Sequence, residues 1–278
     1  MNKQPIGIFD SGVGGLTVFS EIRKRFPDED LIYFGDTARV PYGPKSKNTI
    51  IEYSIQNTRF LNGFQVKLII IACNTSSAIA LDVLKEHFSI PIIGVLMPGA
   101  EQAVKHSKSG KIGIIGTEGT INSQAYPKEI KRLLPDAETY SIPCPLFVPL
   151  VEEGWNDHPV AMKVAEEYLS PLIAKSIDTL VLGCTHYPIL KPVIQKAVGD
   201  NIMLIDSAEA VTEFLTRYFK DNQHPDAKSN QGEEYQIPGK DFFYVSDNEE
   251  KFRIIASRIL QREITNLIRV KLAESWFI

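Results

Sequence analysis

Two of the three cysteines stand in closely similar sequence settings. Cys73 ends the segment LIIIAC, and Cys184 ends the segment TLVLGC. A short aliphatic run closed by polar residues is typical of a buried strand in a parallel sheet, and ligands bind just beyond the carboxyl ends of such strands. Both thiols are therefore expected in a binding crevice, where one could act as a base and the other as an acid in proton transfer.

Polar residues follow each cysteine, at places where a helix should begin. Asn74 and Thr75 follow the first cysteine, and Thr185 and His186 follow the second. Amides at a helix N-terminus lower the pKa of a thiol from its reference of about 8.5, which makes thiolate available near neutral pH. His186 could orient or protonate the neighbouring thiol, or hydrogen-bond a substrate.

A glycine-rich turn follows the first predicted strand. Its residues are Asp10-Ser11-Gly12-Val13-Gly14-Gly15, and a helix should open after it, so its amides could bind an anion such as a small carboxylate. Neither the dinucleotide-binding spacing nor the Walker pattern is present, which makes nucleotide binding a weak prediction. The turn Pro41-Tyr42-Gly43 is a second segment suited to exposing backbone amides.

Two carboxylates are candidates for tuning a thiol or holding an ammonium group. Asp10 ends the first predicted strand, and Glu152 lies in the segment VPLVEEG, where local sequence does not distinguish it from Glu153. Cys144 lies between two prolines and is expected to be structural. The Cys-x-His pair at the second cysteine has no partner pair nearby, so no metal site is predicted.

Aliphatic runs alternate with helix-length amphipathic stretches, which is the pattern of βα units around parallel sheets. The predicted strands are residues 6–9, 31–34, 67–72, 92–95, 111–115, 179–182, 202–205 and 242–245. The segment IGIFDSG from Ile6 aligns with IGIIGTE from Ile112, and the two cysteine strands align at nearly the same spacing. This internal similarity predicts an α/β fold of two pseudo-symmetric domains, each a mostly parallel sheet flanked by helices, with the cysteines at corresponding positions.

The carboxyl-terminal part of the chain has a different pattern. Residues 221–240 are polar and rich in turn formers, so a long surface loop is predicted there. After the strand at 242–245, apolar residues from Ile254 to Leu272 recur near helical spacing, which predicts a helical tail packed on one sheet. The final residues Trp276-Phe277-Ile278 could dock on the body of the protein or on a second subunit.

The composition limits the classes of function. The 278 residues are 44% hydrophobic and carry a formal net charge of −4, so no broad basic surface for nucleic acid is expected. Three cysteines without clustered spacing argue against a disulfide framework and suit a reducing compartment. The amino terminus lacks the apolar run of a signal peptide, and the densest aliphatic stretch is too short to cross a bilayer. A cytoplasmic protein with no membrane or nucleic-acid partner is therefore expected.

The segments DSGVGGL, GDTARVPYGPKS, ACNTSSA, VPLVEEG and GCTHYP together resemble the glutamate racemase family. The resemblance runs from Ile6 to about Ser207. It implies an active site at the interface of two α/β domains, one formed by residues 1–97 with 208–278 and the other by residues 98–207. It also implies interconversion of L- and D-glutamate without a cofactor, which supplies D-glutamate for bacterial peptidoglycan.

The resemblance assigns roles to individual residues. Cys73 and Cys184 match the two acid/base thiols, and Cys73 is expected to act on D-glutamate and Cys184 on L-glutamate. Asp10, Glu152 and His186 are expected to assist catalysis. The residues expected to bind substrate are Asp10, Ser11, Pro41, Tyr42, Gly43, Asn74, Thr75, Thr185 and His186. The expected partner is the small-molecule substrate glutamate, and a homodimer is left open.

Other functions remain open from the residues. Aspartate racemisation would use the same fold and the same thiols. A non-catalytic protein could instead sense a dicarboxylate with this crevice. A thiol–disulfide function is less favoured, because Cys73 and Cys184 lie in separate predicted domains rather than in a Cys-x-x-Cys motif.

Overall fold

The computed structural model describes residues 4–222 and 238–272, which form two β-sheets flanked by helices. The strands are β1 (Ile6–Asp10), β2 (Leu31–Gly35), β3 (Leu68–Ile71), β4 (Ile92–Gly94), β5 (Lys111–Gly116), β6 (Glu138–Pro143), β7 (Thr179–Gly183), β8 (Met203–Asp206), β9 (Asp241–Val245) and β10 (Leu267–Arg269). The helices are α1 (Leu16–Arg25), α2 (Lys47–Asn62), α3 (Asn74–His87), α4 (Leu96–His106), α5 (Glu118–Asn122), α6 (Ala125–Leu133), α7 (Phe147–Glu152), α8 (Pro159–Ile173), α9 (Lys191–Val198), α10 (Ser207–Asp221) and α11 (Glu249–Leu260). A short 3₁₀ helix, Tyr187–Leu190, precedes α9.

Both sheets are parallel throughout. The first sheet has the order β10-β9-β2-β1-β3-β4, and the second has the order β6-β5-β7-β8. The central strands are buried on both faces by the flanking helices. Because successive side chains point to opposite sides of a sheet, both sets of side chains in such a strand must be apolar. In β1, for example, Ile8 packs into one hydrophobic cluster and Phe9 into the cluster on the other face. Continuous aliphatic runs are therefore required in these strands.

The two sheets repeat one strand order. The series β2-β1-β3-β4 in the first sheet corresponds to β6-β5-β7-β8 in the second. This repetition confirms the predicted α/β fold with two pseudo-symmetric parts. Cys73 follows β3 and Cys184 follows β7, so the two thiols occupy corresponding positions.

Helices α4 and α10 are the two connections between the sheets: α4 lies between β4 and β5, and α10 lies between β8 and β9. Ala100 and Ala103 of α4 pack in a core cluster of the second sheet, whereas Val211 and Leu215 of α10 pack in a core cluster of the first. On this basis we propose the domain boundaries expected from the sequence. The first domain then comprises residues 1–97 and 208–278, and the second comprises residues 98–207.

Two edge strands are not predicted by the sequence pattern. β6 is exposed or half-buried along its length, and β10 has three residues, so neither carries a buried aliphatic run. The predicted helical tail is wrong beyond Leu260, where α11 ends. Gln261 has a φ of 52°, a left-handed conformation that stops a helix, and residues 267–269 then add a strand beside β9.

Other expectations concern segments at the limits of the described residues. In the predicted loop 221–240, Asp221 ends α10 and Lys240 precedes β9, while residues 223–237 lie outside the described residues. Trp276-Phe277-Ile278 also lie outside them, so their docking stays a prediction. Across the two described ranges, each helix is too short or too polar to cross a membrane.

Candidate active site

Cys73 lies at the junction between β3 and α3. Its backbone is extended, with φ −60° and ψ 116°, and it is the N-cap residue of the helix. The residue is only 5% exposed, and its Sγ donates a hydrogen bond to Oγ of Ser11 at 3.7 Å. Tyr42 and Ile50 share its buried cluster. The β3 strand end therefore places this thiol inside the protein, against the turn that follows β1.

The expectation of a lowered thiol pKa is wrong for Cys73, whose surroundings keep the thiol protonated at neutral pH. Burial raises its pKa, and the charge of Asp10 raises the pKa further. Hydrogen bonds from Ser76 and Ser11 act in the opposite direction, and the resulting pKa is about 11. Cys73 therefore carries a proton that it could donate.

Cys184 occupies the corresponding place after β7. It is 6% exposed, and its Sγ lies 3.9 Å from Nδ1 of His186. Tyr187 begins the 3₁₀ helix and fixes this segment by donating its hydroxyl to the backbone oxygen of Cys144 at 2.8 Å. The second thiol thus has an imidazole beside it.

A carboxylate supports the other side of His186. The Nε2 atom lies 3.3 Å from Oε1 of Glu152, whose Oε2 lies 3.4 Å from Nζ of Lys251. Burial lowers the pKa of His186, but its hydrogen bonds with Cys184 and Glu152 outweigh burial and raise the pKa to about 10. The same hydrogen bond lowers the pKa of Glu152. At neutral pH the two residues are an imidazolium and a carboxylate.

The turn after β1 connects both cysteine segments. Asp10 is completely buried; its Oδ2 accepts from a backbone N–H of the turn at 3.0 Å, and its Oδ1 accepts from the hydroxyl of Thr185 at 3.4 Å. Burial raises the pKa of Asp10, against the opposing effects of the His186 charge and of backbone N–H groups. Because Ser11 contacts Cys73 while Asp10 contacts Thr185, both thiol-bearing segments meet this turn.

Close approach of the second domain requires a glycine at position 14. A Cβ atom on Gly14 would lie 2.3 Å from Nδ1 of His186 and 2.5 Å from Oγ1 of Thr185. Thr17 adds a direct link, since its hydroxyl donates to the backbone oxygen of Thr185 at 3.0 Å. The glycine-rich turn therefore serves the contact between the domains as well as any anion binding.

Asn74 and Thr75 reach the second domain from the first turn of α3. The Oδ1 of Asn74 accepts from the hydroxyl of Tyr126 at 2.7 Å, and its Nδ2 donates to Oγ of Ser207 at 3.2 Å. The hydroxyl of Thr75 lies 2.8 Å from the hydroxyl of Thr117. Both side chains therefore link the end of β3 to the second domain.

The turn at residues 41–43 lies against the same part of the second domain. Pro41 is exposed and Tyr42 is buried. A Cβ atom on Gly43 would lie 2.9 Å from Cβ of Thr117, so any side chain at this position would push the turn away. The absence of a side chain lets the backbone of the turn approach the second domain.

Comparison with known proteins gives this site a family. Residues 16–215 match the sequence profile described as Asp/Glu/Hydantoin racemase. The chain belongs to this racemase family. A glutamate racemase from Geobacter metallireducens is 48% identical to this chain over 272 residues, which cover 98% of each protein.

Solved structures resemble the racemase over almost its whole length. A glutamate racemase isoform from Bacillus anthracis has a TM-score of 0.91 and 38% identity, covering 98% of this chain and 99% of its own. A glutamate racemase from Francisella tularensis, solved in complex with D-glutamate, has a TM-score of 0.88 and 41% identity, covering 99% of this chain and 100% of its own. These likenesses confirm the two-domain α/β fold.

The structure brings most predicted site residues of the racemase into two adjoining groups. One group surrounds the turn after β1 and consists of Asp10, Ser11, Cys73, Cys184, Thr185, His186 and Glu152. The other lies around Thr117 and consists of Gly43, Asn74 and Thr75, with Tyr42 buried next to Cys73. Pro41 lies at the exposed edge of its turn. The roles of these residues stay predictions.

The structure distinguishes the two neighbouring glutamates that local sequence leaves equivalent. Glu152 ends α7 with its side chain directed at His186 and Lys251. Glu153 is exposed. Only the helix phase decides which carboxylate faces the histidine, and that phase cannot be read from the segment VPLVEEG.

Sequence reasoning misses several polar residues of the racemase site. The hydroxyls of Thr117 and Thr120 lie 3.1 Å apart, and both are within 3.2 Å of the hydroxyl of Thr75. Thr117 carries a usable signal, because it aligns with Ser11 in the internal repeat. Tyr126 carries no such signal and is found through its contact with the side chain after Cys73.

The side chains at this site are suited to proton transfer. All three cysteines are free thiols. Among residues 4–222 and 238–272, no group of three His, Cys, Asp or Glu residues is arranged to hold a metal ion. The racemase site does contain two thiols, one imidazolium and two carboxylates, which can act as acids, bases and counter-charges.

Proposed function

We propose that this racemase interconverts L- and D-glutamate by moving the α-proton between two cysteines, without a cofactor. Cys184 removes the proton of L-glutamate, and Cys73 delivers a proton to the opposite face of the α-carbon. The reverse reaction exchanges these roles. The observation that carries the proposal is the pair of buried thiols that follow equivalent strands and lie in segments that both contact one turn. The D-glutamate formed supplies peptidoglycan synthesis.

The two thiols suit different halves of this reaction. A pKa of about 11 keeps Cys73 protonated and ready to donate. The imidazolium of His186, 3.9 Å from the sulfur of Cys184, offers a counter-charge for a thiolate. In the proposed cycle, L-glutamate reacts with Cys184 as the base and Cys73 as the acid, and each turnover in that direction leaves the opposite protonation state, which accepts D-glutamate.

The carbanion formed during transfer needs stabilisation, because the α-proton of an amino acid is very weakly acidic. Preorganised donors in a site closed to water stabilise developing charge by about 3 kcal/mol each. The candidate donors are the backbone amides near Ser11, Gly43, Asn74 and Thr185, which would bind the two carboxylates of glutamate. Asp10, as a buried carboxylate beside Thr185, is suited to hold the ammonium group.

Formation of D-glutamate tests the proposal. Dialysed protein incubated with L-glutamate should form D-glutamate, measured by chiral chromatography, until the two enantiomers are equal. A chelator, or hydroxylamine to trap a pyridoxal group, should leave the rate unchanged. The matched control is Cys144→Ala, because Cys144 is also a buried free thiol but hydrogen-bonds the backbone of Ile142 instead of the turn after β1. An active control and an inactive Cys73→Ala support the proposal, whereas wild-type protein that forms no D-glutamate contradicts it.

Parallel incubation with L-aspartate shows which of the two amino acids is the preferred substrate. One methylene group in a fitted pocket changes kcat/KM by about tenfold or more, so glutamate should be turned over at least that much faster. Faster turnover of aspartate would overturn the choice of substrate while leaving the two-thiol chemistry in place. Binding of either amino acid without turnover would favour a dicarboxylate sensor.

The proposal also concerns the location of the enzyme in the cell and its number of subunits. The thiols must stay reduced to exchange protons, which is why we place the enzyme in the cytoplasm. Fractionation of cells that express the protein tests this placement. Sedimentation velocity decides between a monomer and a homodimer.

A further inference from the structure

Asp36 is a buried carboxylate next to the turn at residues 41–43. It follows β2 directly and is completely buried. Its Oδ2 accepts hydrogen bonds from the hydroxyl of Tyr42 and from Nε of Arg39, the latter at 2.6 Å. Its Oδ1 accepts from the hydroxyl of Ser246 at 2.9 Å. Donors from three side chains converge on this buried carboxylate and satisfy its oxygen atoms.

The hydroxyl of Tyr42 is engaged by this cluster. It donates its one hydrogen to Asp36 and accepts from Nδ2 of Asn57 at 3.0 Å. Burial and the charge of Asp36 raise the pKa of Tyr42 well above its usual range. The phenol is therefore unsuited to exchange protons with a substrate. The turn can offer a substrate its backbone amides instead.

Arg39 completes the cluster and balances its charge. Its Nη2 donates to Oδ1 of Asn57 at 3.0 Å, and its Nη1 donates to Gln56. The guanidinium also lies 4.0 Å from the centre of the Tyr53 ring. Loss of the carboxylate would leave this mostly buried cation without its counter-charge, and the loop that leads to the turn would shift.

The opposite side of the turn is fixed by the second domain. A Cβ atom on Gly43 would meet Thr117 at 2.9 Å, and a Cβ atom on Gly119 would meet the backbone oxygen of Gly43 at 2.9 Å. The turn therefore lies between the Asp36 cluster and the start of α5. A small displacement on the Asp36 side moves its amides relative to the site between the domains.

We propose that Asp36 is a positioning residue for the substrate-binding turn: through Tyr42 and Arg39 it holds the backbone of residues 41–43 at the place where glutamate binds. The inference rests on the proposed function of this site. It predicts a loss of substrate binding rather than of chemistry, since the turn binds the substrate and its transition state alike.

Asp36→Asn tests the inference, because it keeps the shape of the side chain but replaces one acceptor oxygen by a donor. We expect KM for glutamate to rise about tenfold, while kcat falls less than about threefold. The matched control is Ser54→Ala in α2, which removes a buried hydroxyl that donates to the backbone oxygen of Ile50 at 2.7 Å. This control should lower the thermal unfolding midpoint without changing KM. A KM for Asp36→Asn that equals the control value overturns the inference.

Tyr42→Phe keeps the inference testable if Asp36→Asn does not fold. It retains the ring and removes the hydroxyl that donates to Asp36 and accepts from Asn57, so KM should rise about threefold. An unchanged KM contradicts the positioning role. Wild-type protein that does not racemise glutamate contradicts the proposed function but not the positioning role. Calorimetric titration of the same variants with D-glutamate then measures the effect of the turn on substrate affinity independently of catalysis.

Discussion

The two cysteines follow equivalent strands but lie beside different charges. Both thiols are buried, and each follows the strand of its sheet that pairs with the central β1 or β5. Around Cys73 lie hydroxyl groups and the carboxylate of Asp10. Beside Cys184 lies His186, with Glu152 behind it. The repeated fold thus presents one thiol to an anion and the other to a cation.

This difference indicates how a duplicated fold can perform an asymmetric task. The strand ends determine where the sulfur atoms lie, and the neighbouring side chains determine which charges each sulfur faces. A racemase that uses two bases must hold one thiol as an acid and the other as a base in each resting state. The unequal surroundings of Cys73 and Cys184 suit the proposed roles of the two residues towards L-glutamate.

Removal of either thiol is the strongest test of whether both cysteines are needed. Cys73→Ala and Cys184→Ala should each lower kcat for racemisation by about 10⁴-fold, because each removes a group that transfers the α-proton. Chiral chromatography of D-glutamate measures the loss in both directions. Cys144→Ala is the control and should cost about 1 kcal/mol of stability without comparable loss of rate. Substantial racemisation by either single variant would show that one thiol suffices.

Replacement of the imidazole tests whether His186 supports Cys184. His186→Asn removes the counter-charge 3.9 Å from the sulfur, and we expect kcat to fall by about 10²-fold. His158→Asn is the matched control, since His158 is an exposed N-cap residue of α8 and asparagine also caps helices. Equal activity of the two variants would mean that the imidazole does not support this thiol.

The neighbouring glutamates give a smaller and more selective test. Glu152→Gln removes the charge that faces His186, so kcat should fall by about tenfold. Glu153→Gln changes an exposed carboxylate one residue away and should leave the kinetics as they are. Steady-state rates of the two purified variants measure the difference. Similar losses in both would contradict the assigned orientation of α7.

The pH dependence of stability provides the smallest effect. The folded protein raises the pKa of His186 from 6.5 to about 10, so this residue contributes stability that is complete below pH 6.5 and is lost as the pH rises towards 10. The unfolding midpoint of wild-type protein should exceed that of His186→Asn near pH 6, and the gap should narrow by roughly 4 °C near pH 10. A gap that widens with pH would mean that the folded protein lowers the pKa of His186 instead.

Much of the fold follows from the sequence, because buried parallel strands need continuous aliphatic runs. Those runs locate β1, β3, β5 and β7, and with them the turn after β1 and both cysteines. The edge strands β6 and β10 are mostly exposed or half-buried and need no such run, which is why they are missed, whereas the largely buried edge strands β4 and β8 are predicted. The spacing of apolar residues after Leu260 suits a helix and an edge strand equally, and the left-handed Gln261 decides between them.

The partners of the site residues are less accessible to sequence reasoning. Glu152 is selected over Glu153 by helix phase, and Thr117 approaches Thr75 through docking of the domains. The Asp36 cluster draws on β2, α2 and the segment after β9, whose proximity is a property of the sheet order. Local patterns contain no information about such contacts. The internal repeat is an exception, since it relates Thr117 to Ser11.

The central claim is that a different thiol acts on each face of the α-carbon. The direct measurement is racemisation of protiated L-glutamate in deuterated water, stopped early, with the two enantiomers separated and their α-deuterium determined by mass spectrometry. The account predicts that nearly all D-glutamate carries deuterium, because Cys73 donates a solvent-derived proton, while the remaining L-glutamate stays protiated. Deuterium that enters the remaining L-glutamate as fast as D-glutamate forms, or D-glutamate that keeps the original proton, would contradict it.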